Sequence, residues 1–134
     1  MKFEDLKIGM KESVTKTITE ADVILYSGIT LDVNPAHLNE EYAKTTLFKK
    51  RIAHGMLTAG LISAVLGTKL PGEGTIYMGQ ELAFTAPVYF GDTITASVEV
   101  IELIPEKNRV LLSTIGTNQE GTVVLKGTAK VMKK

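Results

Sequence analysis

The sequence predicts an α+β fold in which an antiparallel sheet wraps one buried helix, and three observations lead there. Between Gly55 and Gly67 apolar side chains occupy nearly every angle of the helical wheel, so a helix there has to be covered on most sides. Four strand-like stretches with short turns follow it. In one of them Ile94, Ala96, Val98 and Val100 alternate with Thr95, Ser97 and Glu99, the period of a strand with one buried face. No other segment is apolar enough to cover that face, so the sheet and the helix must pack on each other.

Taken in order, residues 11 to 18 carry β-branched side chains with partial alternation and predict a first strand after an irregular N-terminal arm. Thr19 and Asp22 have the spacing of a helix cap and its acidic partner, which predicts a short helix from about residue 20. Gly28, Asn34 and Pro35 then predict a loop over residues 28 to 35, with Pro35 pushing Asn34 away from helical geometry. Asn39 can cap a further helix of two turns, with Glu40 and Glu41 at its positive end and Lys44 towards its other end. The buried helix covers residues 56 to 66, and Leu70 to Gly74 form a turn. The four later strands are expected at Thr75 to Phe90, Thr93 to Leu103, Arg109 to Asn118 and Thr122 to Met132. No repeat, linker or low-complexity run divides the chain, so residues 1–134 are expected to form a single domain.

Composition removes several classes of function. Fifteen Lys+Arg balance fifteen Asp+Glu, a balance that does not point to nucleic acid or an anionic membrane as the main partner. There is no Cys, hence no thiolate nucleophile, disulfide framework or thiolate metal site. The charged stretch Met1 to Ser13 lacks the apolar core of a signal peptide, and the most apolar run, Met56 to Leu66, is well short of the roughly 20 residues that span a bilayer. A cytoplasmic protein is expected.

The chemistry concentrates in Asp32-Val33-Asn34-Pro35-Ala36-His37, where a carboxylate and an imidazole stand five residues apart across a proline. Two groups on one helix face would be three or four apart, so these two converge only if the backbone bends, and ordered bent loops often carry catalysis. Spacing alone fits equally well a turn capped by Asp32 beside a surface histidine. His54 is read as orienting the turn before Gly55 rather than as a second base. Asp32, His37 and His54 lack a recognisable ligand spacing, so no metal is expected. Ser63 is not a hydrolase nucleophile, because Leu61 and Val65 stand where a nucleophile elbow needs glycines. The run Lys49-Lys50-Arg51 is read first as a solvated face.

The match extends beyond that spacing. Tyr26-Ser27-Gly28, the segment from Asp32 to His37, and Ala53-His54-Gly55-Met56 together strongly resemble the hydratase motif of the MaoC-like, R-specific enoyl-CoA hydratases. The resemblance continues through the segment from Leu70 to Gln80 and through Phe84-Thr85-Ala86-Pro87-Val88-Tyr89-Phe90-Gly91-Asp92, and it covers about residues 15 to 132. The first segment is specific to hydratases. The last is shared among hotdog-fold proteins, thioesterases included. One departure stands out: the family usually has Gly directly before the motif Asp, and this chain has Leu31.

The resemblance implies a hotdog fold, with short overhanging helices carrying the hydratase loop. It also implies reversible hydration of a trans-2-enoyl-CoA to an R-3-hydroxyacyl-CoA, a lyase reaction of fatty acid metabolism that needs no cofactor. Asp32 and His37 would hold the water and exchange its protons with substrate, while Asn34 and Pro35 shape the loop. The backbone amide of Gly55 would meet the thioester oxygen at the start of the buried helix, where unpaired N–H groups favour an oxyanion. His54 and Ser63 are supporting residues on this reading. Lys49-Lys50-Arg51 then becomes an alternative contact for the phosphates of CoA, and Tyr77, Met78 and Gln80 are read either as bordering the acyl tunnel or dimer seam or, equally, as ordinary strand packing. The expected partners are an acyl-CoA and a second copy of the chain, as a homodimer or a higher homo-oligomer. An acyl-CoA thioesterase on the same fold and a non-catalytic acyl-CoA-binding module are the competing functions.

Overall fold

A computed structural model describes residues 1–134. A five-stranded antiparallel sheet carries the strand order β1-β3-β4-β5-β2. Its strands are β1 (Lys11–Thr17), β2 (Ile76–Phe84), β3 (Thr93–Ile104), β4 (Arg109–Thr117) and β5 (Val123–Met132). The helices are α1 (Glu20–Thr30), α2 (Pro35–Leu38), α3 (Glu40–Ala43) and α4 (Gly55–Thr68). The α+β arrangement is the expected one: α4 packs against β1, β2, β3 and β4. Ile62, Val65 and Leu66 of α4 share one buried cluster with Ile94, Ala96, Val98 and Val100, the four positions whose alternation marked the inner face of β3. No helix is long and apolar enough to cross a membrane.

Three local readings are corrected. The loop expected from Gly28 is shorter, because α1 runs through Gly28 to Thr30, where the Thr30 hydroxyl donates to the Tyr26 carbonyl at 2.8 Å. The second short helix has one turn instead of two: the hydroxyls of Thr45 and Thr46 donate back to the carbonyls of Tyr42 and Ala43, both at 2.7 Å, and the helix ends there. The strand expected to reach Phe90 stops at Phe84, since Pro87 has no N–H for a ladder, and only a single bridge, Ile52 to Tyr89, follows. Helix α4 is covered on most sides, as expected, and is open along one stripe, where Met56, Gly60, Ser63 and Gly67 are exposed beside edge strand β2.

The caps of α1 explain how the next segment is aimed. Thr19 and Asp22 form a reciprocal capping box, with Asp22 N–H donating to Thr19 Oγ1 at 3.2 Å and Thr19 N–H to Asp22 Oδ2 at 2.9 Å. At the other end Leu31 takes a left-handed conformation, φ 68° and ψ 12°, and its N–H closes the helix on the Ser27 carbonyl. That geometry accounts for the glycine usual at this position. A side chain in the left-handed region costs about 1–2 kcal/mol and glycine about 0.5–1 kcal/mol of chain entropy, so Leu31→Gly is expected to stabilise the fold by about 0.5–1 kcal/mol. Leu31 is exposed and packs on no core, so a lower urea midpoint in this variant would contradict that account of the cap.

Candidate active site

The bend after α1 brings the candidate residues together. Asn34 caps α2 by accepting from Ala36 N–H at 3.0 Å, and Pro35 fills the first helical position, where the missing N–H goes unmissed. This single turn swings His37 inward until it is buried, while Asp32 stays exposed with its Oδ1 accepting from Asn34 N–H at 3.3 Å. A carboxylate oxygen of Asp32 and one ring nitrogen each of His37 and His54 lie within 4.8 Å of one another. One water molecule can bridge such a gap with two ordinary hydrogen bonds.

The hydrogen bonds fix the tautomers of both imidazoles. His37 Nδ1 is 2.7 Å from the Ile52 carbonyl, which can only accept, so Nδ1 carries the hydrogen and Nε2 keeps its lone pair in the neutral ring. His54 Nε2 is 3.0 Å from the Asp32 carbonyl and 3.1 Å from Ser27 Oγ, so here Nε2 is the donor. Its Nδ1 is then a bare lone pair, buried and without a partner. The two rings lie with centroids 3.8 Å apart and planes tilted by 33°, and Tyr26 packs against His54 at 4.6 Å. The His54 side chain does not cap α4; its ring grips the Asp32 carbonyl instead, tying the loop after α1 to the residue before α4.

Burial holds the His54 imidazole below the ordinary histidine value, the Asp32 carbonyl opposing it and neighbouring His37 adding to it. The folded protein therefore binds this proton less readily than the unfolded chain. Stability from this source is fully present above about pH 6.5 and is lost as the pH falls through the lower folded value. We expect the urea midpoint to fall as the pH drops below about 6.5, and the fall to be shallower in His54→Gln, which keeps a donor without titrating. Identical slopes in the two proteins would contradict this.

Gly55 opens α4, and its N–H donates to no group of the chain. It faces a cavity of about 460 Å³ lined by Asp32, His37 and His54 at one side and by Phe48, Phe84 and Val88 among its apolar walls. A Cβ on residue 55 would sit 2.7 Å from the Phe84 ring, so only glycine lets that ring lie against the helix start. Asn34 and Pro35 act on this cavity through the backbone and do not line it. Ser63 lies two turns along α4, on the exposed stripe, in a separate groove beside Tyr77, Met78 and Gln80.

Several contributors were not legible beforehand. In sequence Phe84 is only the first residue of the segment shared among hotdog-fold proteins, and the Ile52 carbonyl has no signature at all. Arg51 is no member of a solvated face: its side chain is 13% exposed, pairs with Glu20 and donates from Nε to the His37 carbonyl at 2.8 Å. Lys50 lies over the Tyr89 ring at 4.7 Å.

A sheet wrapped on one helix defines a hotdog fold, and here an acid, an imidazole and a free helix-start amide gather around an apolar cavity beside that helix. The chain belongs to the MaoC-like domain family, whose model matches residues 4–121. It is 58% identical over 130 residues to an (R)-specific enoyl-CoA hydratase of Rhodospirillum rubrum, covering 97% of this chain and 90% of that protein. Among solved structures it is similar to the unliganded R-hydratase PhaJ1 of Pseudomonas aeruginosa, with TM-score 0.93 and 48% identity over 98% of this chain and 84% of that one. The (R)-hydratase of Aeromonas caviae superposes with TM-score 0.94 at 40% identity, covering 98% and 99% of the two chains.

Proposed function

We propose that this protein is an R-specific enoyl-CoA hydratase that uses Asp32 and His37 to activate water and the Gly55 amide to polarise the thioester carbonyl. The observation that carries the reading is the approach of the Asp32 carboxylate to the His37 ring, within 4.8 Å, at the wall of the cavity that Gly55 opens onto. Water held between the two attacks C3 of the enoyl group and gives up one proton to the pair. Electron density moves to the thioester oxygen, where the N–H groups at the start of α4 stabilise it. A proton returned to C2 completes the addition, so the pair ends as it began. The apolar walls suit an acyl chain, and the named relatives support the same chemistry.

Crotonyl-CoA tests this directly. Loss of enoyl absorbance without thiol release, yielding the R product, is the expected result. Release of thiol would instead mean a thioesterase, and binding without turnover a non-catalytic module.

The same reading takes the working unit to be a homodimer. Strand β2 is an open sheet edge with Ile76, Tyr77, Met78 and Phe84 exposed, next to the open stripe of α4. Edges of this kind are normally paired or covered, and a second copy would bring another α4, Ser63 included, to this groove. Met78→Lys is expected to shift sedimentation from dimer towards monomer; a parent protein that sediments as a monomer would contradict the assignment.

A further inference from the structure

We propose that Arg51 is a positioning residue for hydration, holding the His37 imidazole at its working angle through the backbone of α2. This rests on the reading of His37 as catalytic. His37 sits on a helix of four residues, too short to hold a side chain in place by its own ladder. Its orientation has to come from neighbours, and the segment Arg51 to Ala53 supplies them.

Arg51 Nε donates to the His37 main-chain carbonyl at 2.8 Å, while the Ile52 carbonyl takes the His37 Nδ1 hydrogen at 2.7 Å. Consecutive residues thus grip His37 at both ends, by backbone and by ring. The segment is itself anchored: Ile52 N–H donates to the Ala36 carbonyl at 3.3 Å and Ala53 N–H to the Val88 carbonyl at 2.8 Å. The far end of the Arg51 fork pairs with Glu20 in the first turn of α1, and its guanidinium lies over the Phe90 ring at 4.8 Å. One planar side chain therefore ties α1, α2 and the residues after β2 into a single frame. Lysine offers a single ammonium with no fork and no flat face to stack, so it cannot hold both partners at once.

The other use for a cation here, a contact with CoA phosphate, predicts different behaviour. Every Arg51 donor bond in the structure is internal, and the side chain is largely buried.

The test compares Arg51→Lys and Arg51→Met in the parent and in a His37→Ala background, with crotonyl-CoA as substrate. Both single variants should lower kcat, Arg51→Met by about tenfold or more and Arg51→Lys by less, with KM within about twofold, as expected for loss of an interaction felt in the transition state. In the His37→Ala background Arg51→Met should change the residual rate by less than about twofold, because residues acting as one unit are not additive. Ring ¹⁵N shifts should show His37 as the Nδ1–H tautomer in the parent and as a mixture in Arg51→Met, a readout independent of turnover. The proposal is overturned if KM rises while kcat holds, if Arg51→Lys matches the parent, or if the Arg51 cost persists in full without His37. If Arg51→Met does not fold, Arg51→Lys and its tautomer decide by the same criteria. A parent-like His37→Ala would sink the catalytic reading itself, a result distinct from a silent Arg51.

Discussion

Asp32→Asn is expected to lower turnover of crotonyl-CoA by about 10²–10⁴-fold, and His37→Ala to fall in the same range, the usual cost of losing a positioned acid–base group. Asn is nearly isosteric with Asp and keeps an oxygen for the Asn34 N–H, so the bend after α1 survives while the proton acceptor is lost. Asp32 is exposed, and its replacement should leave the urea midpoint close to the parent's. His37 is buried, so His37→Ala is expected to lose some stability, which makes Asp32→Asn the cleaner variant. Since both groups are taken to hold one water, the double variant should be about as slow as the worse single one. Near-parental hydration by both single variants would reject the assignment.

Gly55→Ala is the second large effect, expected to lower kcat/KM by about 10²–10³-fold, the scale of a lost oxyanion donor. The amide itself is unchanged. The added methyl would stand 2.7 Å from the Phe84 ring, so either that ring moves into the cavity where the thioester has to lie or the helix start moves away from it. Alanine is the better helix former, so stability should hold while activity falls. Gly55→Ala combined with Phe84→Ala removes the obstruction and should recover most of the loss. Failure to recover would place the effect in the helix start and not in Phe84.

What could be read beforehand followed from periodicity and from chemistry that sequence displays directly. The all-round apolar pattern of residues 55 to 67 and the alternation in β3 located the core, because burial is written residue by residue. Asp32 and His37 stood out through their residue types and the proline between them. Helix α1 was harder: Gly28 looked like a stop, yet the cap set by Thr19 and Asp22 and the Thr30 hydroxyl carry the helix past it. Leu31 gave no hint of its left-handed backbone except as a departure from the family glycine. Arg51 was hidden by its company, since two neighbouring lysines made it look like one cation of a surface run, and only the fold brings Glu20 and the His37 carbonyl to it. Phe84 lies twenty-nine positions from Gly55, and contacts at that range leave no local trace.

The central claim is geometric, and a crystal structure of the Asp32→Asn variant with crotonyl-CoA bound tests it most directly. The thioester oxygen should lie about 3 Å from Gly55 N, with C3 facing the gap between residue 32 and His37 Nε2. A bound substrate whose carbonyl points away from the start of α4, or whose C3 lies remote from His37, would contradict the account.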